Sequence, residues 1–396
     1  MIIKPRIRGF ICTTAHPVGC AAHVSSQSDY VRSQSAIEKG DFKNVLVLGC
    51  SGGYGLASRI VAGIGAGANT LGVSLEKAPT ESKTASAGWY NNGSFERQAS
   101  ELGLYAKTID GDAFSDEMRV RVVETIRADL GKIDLVVYSL ASPVRLHPKT
   151  GTLHRSSIKP LGEGALKIKS INVDKGEVMD VSLEAATQVE IDDTVAVMGG
   201  EDWEYWMTAL SEAGVLEENC QTVAFTYIGS ELTWPIYWDG TLGQAKMDLD
   251  RAQRAIASKL EAIGGSARVA VLKAIVSQAS AAIPVVPLYV ALLFKVMKER
   301  GIHEDCISHI YRLFATQLRT GASLRLDESG RIRMDDQELS EVIQEEVTRR
   351  WSTVETQNLD QQGDLEGFRE DFLKIFGFGL ESVDYETDVD PQLIAS

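Results

Sequence analysis

Asn44-Val-Leu-Val-Leu-Gly49-Cys50-Ser51-Gly52-Gly53-Tyr54-Gly55 decides the fold of this chain. The run from Asn44 to Leu48 is short, apolar and rich in Val, the pattern of a strand buried on both faces of a parallel sheet. A turn follows at Gly49, and a helical pattern takes over from Tyr54 to about Ile64. The glycines of Gly49–Gly55 have the spacing GxxxGxG rather than GxGxxG. In a strand-turn-helix setting such a turn lets a pyrophosphate approach the backbone N–H groups that open the helix, where the dipole favours anions. Glycines alone say little: Gly63, Gly65 and Gly67 just downstream read as ordinary turn residues.

Outward from this turn the pattern alternates between strand and helix, as in βα units around a parallel sheet. Strands are expected at Asn69–Glu76, Leu104–Ile109 and Ile133–Leu140, and helices at Phe95–Leu102 and Ser115–Leu130. Ser115 caps the second helix, with acidic residues in its first turn. The rhythm breaks between about 145 and 220. There Lys167–Val181 alternates around Asp174-Lys175-Gly176, the mark of a β-hairpin, and Thr187-Gln-Val-Glu190 is a capping box. This insertion reads as a lid on the site. The series resumes with strand Thr222–Ile228, a long helix from Leu242 to Ile263 and strand Ala267–Val276; residues 300–396 read as helical and increasingly acidic. The expected architecture is one large Rossmann-type, doubly wound α/β domain spanning 1–396.

Bulk properties exclude several classes. With 396 residues, 44% hydrophobic and 24% charged, the chain buries a core without disulfides. Its formal net charge of −15 argues against nucleic acid and anionic membranes as partners. Five scattered cysteines fit a reducing cytoplasm. The longest apolar run, Ala279–Phe294, holds Pro284 and Pro287 and is too short to span a bilayer. Cys12, His16, Cys20 and His23 invite a zinc reading, but their spacing matches no common finger, and Pro17 and Gly19 read as an irregular loop. No metal is expected.

Glu76 closes the second strand about twenty residues after Gly55, where a carboxylate accepts from the adenosine ribose and repels a 2′-phosphate. NADH is therefore expected over NADPH. Asp112, after the third strand, is placed for the adenine; Leu140 and Ala141, ending the fourth, are placed along the middle of the cofactor. Tyr237 and Lys246 stand at Tyr-x8-Lys. Reductases of the short-chain-dehydrogenase type need a phenol to donate a proton and an ammonium to hold the nicotinamide ribose and lower the phenol pKa. Their usual spacing is Tyr-x3-Lys. Here Asp239-Gly240-Thr241 interrupts, so Tyr237 belongs on a loop and Lys246 one turn into the helix. By spacing alone, a buried Tyr and a surface Lys is the default.

The segment Tyr227-Ile-Gly-Ser-Glu-Leu-Thr-Trp-Pro-Ile-Tyr-Trp-Asp-Gly-Thr-Leu-Gly-Gln-Ala-Lys246 closely resembles the trans-2-enoyl-CoA reductases and FabV-type enoyl-acyl-carrier-protein reductases. So do the opening Ile3–Thr14, Gly199–Trp203, Ala282–Tyr289 and Phe376–Gly379, and the similarity covers essentially the whole chain. The resemblance implies Tyr237 as proton donor, Lys246 as a cofactor contact and Tyr227 as a substrate contact. It implies NAD-binding stretches at Gly49, Cys50, Ser51, Gly52, Gly53 and Tyr54, at Leu75 and Glu76, at Asp112 and Ala113, at Leu140 and Ala141, and at Ile275, Val276 and Ser277. Ser277 stands where many members have Thr and keeps the hydroxyl; Gly52 replaces a frequent Ser or Thr. Trp234 and Trp238 stand where others have His and Arg, and read as large rings that shorten the acyl pocket.

The implied reaction is hydride transfer from NADH to C3 of a trans-2-enoyl thioester, on CoA or an acyl carrier protein, with Ile283–Phe294 lining the acyl pocket or forming a core helix behind it. Tyr237, with Tyr227 as a second candidate, hydrogen-bonds the thioester oxygen. A carbonyl or alcohol oxidoreductase using the same Tyr/Lys logic, and a non-catalytic NAD sensor, are the competing functions. A monomer or weak dimer is expected.

Overall fold

The computed structural model describes residues 1–9 and 11–394; Phe10 of the opening motif lies outside them. A small hairpin, β1 (Ile7–Arg8) and β2 (Ile11–Cys12), leads into α1 (Pro17–Ser33). The βα series then runs β3 (Asn44–Leu48), α2 (Gly53–Ile60), β4 (Asn69–Ser74), α3 (Ala87–Glu101), β5 (Ala106–Asp110), α4 (Asp116–Thr125) and β6 (Ile133–Tyr138). The insertion holds β7 (Val144–Leu146), β8 (Leu153–Arg155), β9 (Ala165–Asn172), β10 (Glu177–Glu184), α5 (Gln188–Met198) and α6 (Glu201–Glu212). The series closes with β11 (Leu216–Thr226), α7 (Thr241–Leu260), β12 (Ser266–Val271), α8 (Gln278–Ala281), α9 (Val286–Glu299), α10 (Cys306–Leu313), β13 (Ile332–Arg333), α11 (Glu341–Thr353), α12 (Leu359–Gln362) and α13 (Leu365–Lys374).

Seven strands form one sheet in the order β13-β12-β11-β6-β3-β4-β5, all neighbours parallel. Strand order reverses at β3. The chain moves outward through β4 and β5, then returns to lay β6 on the other side, so Leu48 pairs with both Val73 and Tyr138. A crevice opens at such a switch point beyond the carboxyl ends of the strands, which is where doubly wound sheets bind their ligands.

The alternation of β3 divides the core. Val45 and Val47 face α1, α2 and α10 with Val24, Ile60 and Ile310, while Leu46 and Leu48 face α4, α6 and α7 with Val122, Trp203 and Leu249. A third core gathers around α9, where Leu288, Leu292 and Leu293 meet the β9–β10 hairpin, α11 and α13. Among the described residues no helix is long and apolar enough to cross a membrane.

Ser115 accepts from Met118 N at 3.1 Å and Thr187 forms its capping box with Glu190, as their sequences require. Elsewhere the structure corrects the expectations. The Pro17–Gly19 stretch is not a loop. His16 caps α1 by accepting from Gly19 N through Nδ1 at 3.1 Å, and Pro17 sits in the first turn, where its missing N–H costs nothing. Helix α3 begins at Ala87, not Phe95, and takes in Gly88 and Gly93, where a Cβ would run into Glu76 and Ile394. The C-terminal part is mostly helical, as expected, and adds β13 at the sheet edge, pairing Ile332 with Ala270.

The insertion divides in two. Its hairpin is docked on the C-terminal part: Lys169 donates to Trp351 O at 2.8 Å, Val178 N to Thr356 Oγ1 at 3.0 Å, and Arg369 to Val173 O at 2.6 Å. Its flanks, through Pro143, Ile158 and Met198, reach the cavity described next.

Candidate active site

At the switch point the glycine turn is fixed by close backbone approaches. Gly49 has φ +85°, and a Cβ there would stand 2.2 Å from Ser139 O; a Cβ on Gly55 would stand 1.9 Å from Gly49 O. Strand and helix therefore pack backbone to backbone, as only glycine allows. Gly53, at φ +52°, and Gly52 instead face open space, with nothing within 4 Å of a Cβ. An anionic group can approach the first turn of α2 there, so the residues fit a dinucleotide pyrophosphate. Cys50 turns its buried thiol to Asn92, and Ser51 holds the rim: its Oγ donates to Glu76 at 2.5 Å while its carbonyl accepts from Asn91 at 2.9 Å.

Glu76 N donates to Asp110 Oδ1 at 2.7 Å, which anchors the carboxylate beside the turn. Leu75 next to it is 70% exposed, an apolar surface at the same end of the crevice. Asp112 accepts from Phe114 N at 2.9 Å, and the Ala113 carbonyl accepts from Trp206 Nε1 at 3.0 Å.

From the crevice a cavity of about 710 Å³ runs under the insertion. Tyr54, Leu140, Ala141, Tyr227, Tyr237, Lys246, Ile275 and Ser277 all line it. Val276, between the last two, packs instead into two apolar clusters. Ser277 caps α8, and Tyr54 bridges to the opposite wall by donating to Lys273 O at 2.8 Å. The apolar lining comes from Ile158, Met198, Leu242, Ile283 and Val286.

Tyr237 lies in the turn before α7 and Lys246 inside it, as the interrupted spacing requires. Lys246 is not a surface lysine: it is 9% exposed, and burial lowers its pKa from 10.5 to about 8, opposed by Asp250. Burial pushes the Tyr237 phenol well above its ordinary 10, so it stays protonated at neutral pH. That rise has one cause, desolvation, and the Lys246 charge does not offset it. Among the described residues neither the Tyr237 hydroxyl nor the Lys246 ammonium has a hydrogen-bond partner, and both line the cavity. Tyr227 meets Tyr237 edge-on, with ring centroids 5.0 Å apart.

Of the two readings of Ile283–Phe294 the core helix holds for most of the run, and the expectation for the two tryptophans fails. Of Ile283–Phe294 only Ile283 and Val286 reach the cavity; Leu288 to Leu293 are fully buried core. Trp234 and Trp238 are not among the lining residues: Trp234 Nε1 donates to Gly229 O at 2.9 Å, and Trp238 lies under Arg331. Two residues missed by sequence reasoning stand at the site. Lys273, 2% exposed, lines the cavity, its ammonium donating to Ala274 O and Glu304 O. Glu338 reaches Tyr227 from the C-terminal part. A lysine at the end of β12 was a readable signal; nothing local marks Glu338.

Residues 83–319 match the family model described as the trans-2-enoyl-CoA reductase catalytic region, and residues 2–81 the NAD(P)H binding domain of trans-2-enoyl-CoA reductase. Residues 326–389 match a model described as an enoyl reductase FAD binding domain. In this chain that segment packs α11 and α13 against α9, and none of its residues is among those lining the cavity. The chain is 55% identical to the enoyl-(acyl-carrier-protein) reductase (NADH) FabV of Aeromonas salmonicida over 99% of its own length and 98% of the relative's. Its fold matches trans-2-enoyl-CoA reductase of Treponema denticola in complex with NAD, with TM-score 0.95 and 47% identity over 98% of each chain. The enzyme of Clostridium acetobutulicum in complex with NADH gives TM-score 0.96 and 41% identity over 100% and 99%. Matched over nearly its whole length in sequence and in fold, the chain belongs to the trans-2-enoyl-CoA reductase family.

Proposed function

We infer that this protein catalyses the NADH-dependent reduction of the C2=C3 double bond of trans-2-enoyl thioesters to acyl thioesters in fatty acid synthesis. The observation that carries the site assignment is the Tyr237 hydroxyl and the Lys246 ammonium, both without hydrogen-bond partners among the described residues, on the wall of one mostly apolar cavity. NADH, when bound, supplies the hydride for C3 of the substrate. Its pyrophosphate fits the open backbone at Gly52 and Gly53, its adenosine the end marked by Leu75 and Glu76. Lys246 would hold the nicotinamide ribose, and Ser277 the carboxamide.

Tyr237 does the work at the substrate. As the double bond is reduced, negative charge gathers on the thioester oxygen, and a protonated phenol in a dry pocket is the donor that stabilises it. Its raised pKa keeps the hydrogen available at neutral pH. C2 then takes a proton from solvent and the acyl thioester leaves. Ile158 and Met198 of the insertion line the cavity, which supports the lid reading for the insertion's flanks.

The thioester is common to CoA and carrier-protein substrates, and the apolar walls accept more than the shortest acyl chains, since neither tryptophan narrows them. We place the enzyme in the cytosol, in keeping with five free cysteines, and expect a monomer or weak dimer. Loss of NADH absorbance with crotonyl-CoA, longer enoyl-CoAs and an enoyl-carrier protein, but not with simple ketones, is the expected assay result. Ketone reduction without enoyl reduction would overturn the reading, and light scattering would test the oligomeric state.

A further inference from the structure

Glu338 lies in the turn before α11, yet its carboxylate ends against the reaction chamber. It is fully buried. Oε1 accepts from the Tyr227 hydroxyl at 2.9 Å and the Tyr289 hydroxyl at 2.8 Å, and Oε2 accepts from Ala274 N at 2.6 Å. The Gln344 amide donates to the Glu338 carbonyl at 2.7 Å and to the Tyr289 oxygen at 3.1 Å. Burial raises the carboxyl pKa, while Ala274 N–H, the Lys273 charge and the two phenols oppose that rise.

For an ionised Glu338, the form that the Ala274 N–H, the Lys273 charge and the two phenols favour, counting hydrogens fixes the direction of this network. A backbone N–H only donates, and a phenol has one hydrogen to give. The Tyr289 oxygen already receives the Gln344 amide, so its own hydrogen goes to Glu338. The carboxylate then accepts on both oxygens, and the Tyr227 hydrogen is committed to it. Only the lone pairs of the Tyr227 oxygen remain for the cavity.

We propose that Glu338 is a positioning residue for the reduction: by taking the Tyr227 hydrogen it holds Tyr227 as an acceptor and leaves Tyr237 the one phenol that donates to the thioester oxygen. This rests on the assignment of Tyr237 above, and it replaces the expectation that both tyrosines donate. Removing a single oxyanion donor costs about a hundredfold or more in turnover. Tyr237→Phe should therefore lose at least about a hundredfold in kcat, and Tyr227→Phe no more than about tenfold.

Glu338→Gln is the direct test. The amide oxygen must face Ala274 N–H, so the NH2 faces the phenols, and Tyr227 is forced to accept and turn its hydrogen into the cavity. With crotonyl-CoA as substrate, kcat should shift about tenfold with KM for NADH unchanged, since the hydrogen that Tyr227 turns into the cavity changes the donors at the thioester oxygen. Glu338→Gln placed in a Tyr227→Phe background should add no further loss, because its effect runs through that hydroxyl. Tyr289→Phe should keep kcat within about twofold.

Turnover of Glu338→Gln within twofold of wild type, or additive losses in the double variant, would overturn the proposal. Should Glu338→Gln fail to fold, the comparison of Tyr227→Phe with Tyr237→Phe decides: equal losses mean that both phenols donate and the proposal is wrong. Full activity in Tyr237→Phe would instead sink the underlying site assignment.

Discussion

Replacing Lys246 by Met should make the protein more stable while it loses function. The lysine is 9% exposed, has no ion-pair partner among the described residues, and titrates near 8 instead of 10.5. At about 1.4 kcal/mol per tenfold change, that fall corresponds to a cost of about 3 kcal/mol for keeping the ammonium charged in the folded protein. The unfolded chain holds this proton up to about 10.5 and the folded chain releases it near 8. Between those values the unfolded state binds more protons, so stability rises with pH; below about 8 both states are charged and the penalty is complete. Methionine fills a similar volume without the charge. For 396 residues an unfolding entropy of about 0.8 kcal/mol/K converts the gain to a rise in Tm of roughly 4 °C. Scanning calorimetry of both proteins without NADH, at pH 7 and again near pH 10, reads the difference directly. The variant should melt higher at pH 7, the gap should shrink at the alkaline end, and NADH affinity should fall. A variant that melts lower at pH 7, or a gap that ignores pH, would refute the buried charge.

Two further substitutions test the cofactor crevice. Gly55→Ala puts a methyl 1.9 Å from Gly49 O, a backbone atom that cannot yield without opening the turn; NADH titration should show at least about a tenfold weaker Kd, and an unchanged Kd would contradict the packing. Glu76→Ala removes the carboxylate held by Ser51; the ratio of kcat/KM for NADH over NADPH should fall about ten- to a hundredfold, and an unaltered ratio would remove Glu76 from cofactor choice.

The strand-turn-helix at Asn44–Gly55 was legible because its chemistry is local: an unbroken apolar run, then glycines where the backbone must approach Ser139 and Gly49. Thr187 and Ser115 were legible for the same reason, since a cap is settled within one helical turn. Helix α1 was hidden because its cap is a histidine and its first residue a proline, which together read as loop. The two-residue β13 carries too few side chains to show a period. The run Ile283–Phe294 shows how little apolarity says about what a residue faces, for only two of its side chains reach the cavity. At the site, Tyr237 and Lys246 could be named through the resemblance of their segment, but the cost of burying the lysine could not, because it depends on what packs around it. Glu338 is the clearest case: its partners Tyr227, Ala274 and Tyr289 lie on three other segments of the chain.

The central claim is that the Tyr237 hydroxyl stabilises charge on the substrate oxygen during NADH-dependent enoyl reduction. Single-turnover reduction of crotonyl-CoA by NADH-loaded Tyr237→Phe, with NADH affinity measured on the same sample, tests it most directly. The account predicts an unchanged Kd for NADH and a rate at least about a hundredfold below wild type. A wild-type rate in that variant would contradict it.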